Sequence, residues 1–191
     1  MRIGVDKAQQ AGKHEFKHRR LVELGHELVD LPIPVGDYIR ITPEMDEIIK
    51  RRGPKLKKMD LIGLIDLSVD TKRDIEELYS CLVQGHQRFS DSCLLAKNNG
   101  IKLIILVENR DGVTSIENLG RWRNEKRWHS YFMLRKRAEK NALKPPKPPM
   151  TPSQMQKIMW TMSAKYGTVF LFCSPSKTAE VIEELLTGEM K

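Results

Sequence analysis

Residues 64–72 read Leu-Ile-Asp-Leu-Ser-Val-Asp-Thr-Lys, with apolar side chains at Ile65, Leu67 and Val69 and polar ones at Asp66, Ser68, Asp70 and Lys72. A period of two predicts a β-strand with one face in the core, and it puts Asp66, Asp70 and Lys72 together on the other face. Residues 36–42 read as a neighbouring strand, entered through a glycine turn after Pro32 and Pro34. Residues 101–107 are an apolar run between Gly100 and Asn109, the pattern of a strand buried on both faces. Shorter strands are expected at 2–5, 26–33 and 168–172. Helical spacing takes over elsewhere. Residues 13–24 form a charged helix ended by Gly25. Asp74 caps a helix with Glu77 as its capping-box partner and Ile75, Leu78, Tyr79 and Leu82 as its apolar stripe. Another helix covers 88–97. Thr151-Pro152-Ser153-Gln154 opens one whose Met155, Ile158, Met159 and Met162 face the core. Ser174-Pro175 opens the last, with Ala179, Ile182, Leu185 and Leu186 inward. Strands alternating with helices predict an α/β fold.

Two segments fall outside this pattern. Residues 43–60 carry the run Lys50-Arg51-Arg52-Gly53-Pro54-Lys55-Leu56-Lys57-Lys58 and read as a basic loop beside the strands, with Lys55, Lys57 and Lys58 as candidate DNA contacts. Residues 121–147 hold ten basic residues against Glu125 and Glu139, an excess equal to the net charge of +8 of the whole chain. Trp122, Trp128, Tyr131 and Phe132 are interleaved with Arg121, Arg123, Arg127, Arg135, Lys136 and Arg137, and the insertion (121–150) ends in a stiff proline-rich linker. Cations mixed with stackable rings suit single-stranded or branched DNA; a solvated insertion with its rings packed on the body is the plainer reading.

Length and composition narrow the class. At 191 residues the chain is long enough for one domain with a sizeable core. Cys81, Cys93 and Cys173 have no metal-ligand spacing and sit in apolar stretches, as reduced core residues of a cytoplasmic protein do. No apolar run has the length of a membrane span, and the N-terminus has no signal-peptide core. There is no glycine-rich phosphate loop. His14 and His18 have the four-residue spacing of a helical metal pair, without a third partner.

The candidate chemistry lies in Asp37 and Asp70-Thr71-Lys72. Two carboxylates can hold a hard divalent cation through oxygen ligands, and a lysine two residues beyond the second lies on the same strand face. A Lewis acid, an activated water and a nearby positive charge are the parts that phosphodiester hydrolysis needs.

These motifs resemble the nuclease domain of the XPF family of structure-specific DNA endonucleases, within the PD-(D/E)xK group. That family's motif runs Gly-Asp, a variable gap, Glu-Arg-Lys and then an acidic residue. Gly36-Asp37 matches the first part and Val69-Asp70-Thr71-Lys72 the second, with Asp for Glu and Thr for Arg. Ile3-Gly4-Val5-Asp6 resembles the aspartate ending the family's first strand. The later acidic residue falls on Glu76 or Glu77, and residues 170–180 resemble the closing strand-turn-helix. The chain departs from the pattern at Lys7-Ala8, at Ser92, and between Gly85 and Arg88. The resemblance implies a restriction-endonuclease-like core, a central mixed sheet flanked by helices. It implies Mg²⁺ or Mn²⁺ held by Asp37, Asp70 and the Thr71 carbonyl, with Lys72 acting on the attacking water or the phosphate. Asp6 and one of Glu76 and Glu77 would sit at the site edge, and Arg88 on the DNA backbone. It further implies branched DNA as substrate and a homodimer. The family's helix-hairpin-helix module has no room before Lys191, so substrate selection is expected from the insertions, a dimer mate or another chain; a compact version suits a phage or mobile element. The competing expectation is a non-catalytic DNA-binding or scaffolding module of the same fold, and action on RNA stays open.

Overall fold

The structure, a computed structural model, describes residues 1–9, 12 and 14–188. Six strands form one sheet: β1 (Arg2–Asp6), β2 (Glu27–Leu31), β3 (Tyr38–Arg40), β4 (Leu67–Lys72), β5 (Lys102–Glu108) and β6 (Val169–Cys173), in the order β2-β1-β3-β4-β5-β6. β3 runs antiparallel to β1 and β4, while the pairs β1–β2, β4–β5 and β5–β6 are parallel. The sheet is mixed, as expected, and β3 is its reversed strand.

Helices cover both faces, and β5 shows how. Leu103, Ile105 and Val107 belong to one core with α2 (Pro43–Arg52), α4 (Ile75–Val83), α5 (His86–Asn98) and α7 (Pro152–Tyr166). Ile104 and Leu106 belong to a second core, with α1 (Glu15–Glu23) and α8 (Thr178–Thr187). Alternate residues of a strand point to opposite faces, so a continuous apolar run is what a doubly covered strand requires.

β4 departs from its expected solvent face. On that side Lys72 is buried beside Phe89 of α5 and Ser68 under the Val35 carbonyl, while Thr71 is buried on the opposite face beside Lys17 of α1. Asp66 precedes the strand at its far end, where it is exposed and pairs with Arg40 at 3.5 Å, away from Asp70 and Lys72.

Residues 43–60 form no basic loop. They fold as α2, a 3₁₀ turn and the short α3 (Lys58–Leu61). The helix signal is local: the Thr42 hydroxyl accepts from Met45 N at 3.2 Å, Pro43 follows it, and Met45 is buried under the helix. The basic run Lys50-Arg51-Arg52 ends α2, where the helix dipole favours positive charge.

Residues 121–150 contain α6 (Glu125–Lys140), made largely of strong helix formers, before the proline-rich stretch. Trp122 is a core residue, 8% exposed, with its ring 6.0 Å from that of Tyr79. The caps read from sequence hold in part. Thr151 and Gln154 form a capping box. Asp74 accepts from Glu77 N at 2.7 Å, but the Glu77 carboxylate takes the N–H of Arg73 in place of Asp74. A 3₁₀ turn at Pro175–Lys177 precedes α8. The expected start of the first helix at Lys13 lies outside the described residues. Among the described residues no helix is long and apolar enough to cross a membrane.

Candidate active site

The site begins at the turn Val35-Gly36-Asp37. Gly36 has a φ of +80°, and a Cβ there would press on the Ser68 side chain and come within 3.3 Å of the Val69 carbonyl. Buried Ser68 donates its hydroxyl to Val35 O at 2.7 Å, and Asp37 N donates to Val69 O at 2.8 Å. These bonds seat the turn on β4. The Asp37 carboxylate then reaches two residues further along β4: Oδ2 accepts from Thr71 N at 2.8 Å and from the Thr71 hydroxyl at 2.6 Å. Asp6 N donates to Asp37 O at 2.9 Å, bringing the end of β1 alongside.

Asp70 and Lys72 lie on the α4/α5 side of the sheet. The Lys72 ammonium contacts both Asp70 oxygens, at 2.7 and 2.8 Å, and stands 5.9 Å from the Phe89 ring. The Asp70 carboxyl is pushed up to about 6, because burial, helped by the neighbouring Asp37, outweighs the pull of Lys72 in the other direction. Burial also opposes charge on Lys72, but the Asp70 carboxylate outweighs it and holds the ammonium above the usual lysine range. A buried carboxyl raised in this way, beside a lysine held charged, is the kind of perturbed pair that clusters at functional sites.

Asp6, Asp37, Asp70, Thr71, Lys72, Glu77, Arg88 and Lys58 all line one cleft of about 820 Å³. The two acidic candidates on α4 separate. Glu77 faces the cleft, whereas Glu76 accepts from Arg127 Nε at 2.5 Å. Arg127 is thus engaged on α4, with its guanidinium 4.2 Å from the Tyr79 ring. Lys55 and Lys57 are exposed and lie off the cleft lining. Arg121, Arg123, Arg135, Lys136 and Arg137 are exposed; Arg121 donates to Gly112 O at 3.1 Å and Arg135 pairs with Glu139 at 2.9 Å. Trp128 is half-buried against Tyr131 and Phe132.

The cation implied for such a site needs oxygen donors. Among the described residues no three His, Cys, Asp or Glu side chains converge as a metal cluster. Mg²⁺ keeps several waters and is commonly held through one or two carboxylates, so the donors present fit it. Asp37 is pinned through Oδ2 alone, and Asp70 supplies the second carboxylate. In an extended strand the N–H and C=O of one residue point to the same side. Since Thr71 N–H points to Asp37, its carbonyl points the same way, beyond the end of β3.

Three placements escaped the sequence reading. Lys17 of α1 is buried and pairs with buried Glu108 at 2.6 Å; its ammonium also stands 3.5 Å from the Thr71 hydroxyl that holds Asp37. Nothing in the charged 13–24 stretch marks Lys17 as different from its neighbours. His14 lines the cleft. It stacks on His18 at 6.0 Å, and His18 contacts the Tyr38 hydroxyl at 3.1 Å. Cys81 also faces the cleft, with burial pushing its thiol up, away from the reactive thiolate.

Neither a family model nor a curated protein sequence matches the chain. Solved structures do. XPF from Aeropyrum pernix aligns with a TM-score of 0.56 and 16% identity over 100% of this chain and 62% of that one. XPF from Aeropyrum pernix in complex with DNA aligns with a TM-score of 0.54 and 15% identity over 98% and 64%. The chain therefore spans just over three-fifths of the length of those chains. Its mixed six-stranded sheet flanked by helices is an XPF-like nuclease-domain fold.

Proposed function

We propose that the chain is a divalent-metal-dependent endodeoxyribonuclease that hydrolyses phosphodiester bonds in branched or partly single-stranded DNA. The observation that carries this reading is the meeting of Asp37, Asp70 and Lys72 from separate stretches of chain in one cleft. The XPF-like fold supports it, as does the DNA complex solved for the similar XPF from Aeropyrum pernix.

Asp37, Asp70 and the Thr71 carbonyl would hold Mg²⁺ or Mn²⁺. When bound, the cation supplies Lewis acidity at the phosphate and lowers the pKa of water. The chain's own residues do the rest. Thr71 orients Asp37 through two hydrogen bonds. Lys72, held charged beside Asp70, stabilises the negative charge that grows on the phosphate during attack, and it orients the attacking water. Glu77 and Asp6 border the reaction space, and Arg88 and Lys58 at the cleft wall pair with flanking phosphates. A symmetric homodimer would present two such clefts to one branched substrate.

One observation favours a second reading. The Lys72 ammonium contacts both oxygens of Asp70 and takes the place of a cation there, as a non-catalytic DNA-binding module would allow. The test is incubation of the chain with labelled flap, fork, junction, duplex and single-stranded DNA, and with RNA, in Mg²⁺, Mn²⁺ or EDTA. Cleavage of branched DNA in metal and none in EDTA is expected. Binding without cleavage in either metal would leave the scaffolding reading standing.

A further inference from the structure

We propose that α6 is an arm that reads unpaired bases, its Trp128-Tyr131-Phe132 rings stacking on single-stranded nucleotides beside the cleft, so that the chain favours DNA with a single-stranded segment next to duplex. This rests on the DNA reading above and names the feature of the substrate that the arm selects.

The root of the arm fixes where it stands. Tyr79 of α4 holds both ends of the excursion. The Trp122 ring lies 6.0 Å from the Tyr79 ring and the Arg127 guanidinium 4.2 Å from it, while Met150 N donates to the Tyr79 hydroxyl at 2.9 Å. Arg127 also bonds Glu76 at 2.5 Å and the Ser80 hydroxyl at 2.9 Å. Ser80 lines the cleft. The helix therefore starts at the cleft rim.

The surface of the arm is unusual for a helix on a globular protein. Such helices bury their apolar stripe against the body. In α6 only Ala138 is buried among the described residues. Trp128, Tyr131 and Phe132 share one face by their spacing, with ring centroids 5.3–5.8 Å apart. Phe132 is 51% exposed, and Met133 and Leu134 beside it are exposed too. Apolar surface left in water at such a site points to a partner.

Charge decides which partner. Lys126, Lys136, Arg137 and Lys140 form no ion pair among the described residues. A second copy docking arm to arm would set these cations against their own copies, on a chain of net charge +8. Nucleic acid complements both features: phosphates meet the cations, and bases meet the rings. Bases within duplex are already stacked on each other, so only unpaired ones are open to the rings.

The test measures binding of the full chain in EDTA, where no cleavage competes, to a blunt duplex, a single strand and a fork that joins both. The variants are Trp128→Ala and Phe132→Ala, with Phe132→Leu as a control that keeps the apolar bulk without a π-face. The expected result is a loss of about tenfold in affinity for the fork and the single strand with each alanine variant, and a similar loss with Phe132→Leu, while duplex affinity holds. Equal losses on fork and duplex, or no loss on either, would overturn the proposal. So would a change in light-scattering mass with DNA affinity intact, which would make α6 a protein contact. Should no DNA be cleaved in metal, the nuclease reading fails, yet these affinities still decide the role of the arm.

Discussion

Asp37 and Asp70 are both carboxylates of the same cleft, but the fold holds them differently. Asp37 is anchored by neutral donors of Thr71, while Asp70 is balanced by the charge of Lys72. Replacing Asp70 with Asn or Lys72 with Ala is expected to lower turnover by roughly 10²–10³ while leaving the far-UV CD spectrum unchanged. Full Mg²⁺-dependent activity in Asp70→Asn would remove Asp70 from the site. Gly36 is a second sensitive point, because its φ of +80° and its approach to Ser68 leave no space for a side chain. Gly36→Ala should lower stability by about 1–3 kcal/mol in urea titration and cost activity by shifting Asp37. An unchanged midpoint would mean that the turn relaxes freely. Lys17 and Glu108 form a buried pair behind Thr71, and removing one partner strands the other charge. Lys17→Met or Glu108→Leu alone should cost roughly 3–5 kcal/mol, and the double variant less than the two singles combined. Additive losses would show that the two do not act as a pair.

At the scale of elements, the strands and the capped helices were readable because their signals are local. The apolar run at 101–107 appears as β5, and Thr151-Pro152 with Gln154 opens α7 as its capping box predicts. The same kind of signal, Thr42-Pro43, opens α2, yet the charge of Lys50 to Lys58 suggested a loop. Charge at a helix end is compatible with helix, so composition misled where capping chemistry did not. The insertion at 121–150 was read as a basic surface with four aromatic residues. The structure divides them, since Trp122 is core and Phe132 is exposed. Replacing Arg135, Lys136 and Arg137 together with alanine should weaken DNA binding and flatten its dependence on salt, because fewer counterions are released. Turnover at saturating DNA should hold, since the three lie on α6 and the proposed metal donors Asp37 and Asp70 do not. Affinity for a fork at two salt concentrations checks this, and identical slopes would take the DNA path away from α6.

For the whole molecule, the reversed β3 makes the site. It sits between β1 and β4, so Asp37, in the turn that enters it, comes between Asp6 of β1 and Asp70 of β4. The resemblance also implies pairing of two copies, and light scattering at tens of micromolar, approximately, is expected to show a symmetric homodimer; a monomer would point to an unrelated partner chain. By itself the sequence determined what depends on near neighbours: the α/β order, the strand parity of Asp70 and Lys72, and the Gly36-Asp37 turn. Periodicity and capping act over a few residues, and the short motifs carry their own chemistry. Only the tertiary structure decided the rest. It chose Glu77 over Glu76 for the cleft, covered the polar face of β4, and buried Lys17 against Glu108. Each of these turns on which distant element packs against a side chain, and a one-residue step around a helix or a partner 91 positions away leaves no mark in the local pattern.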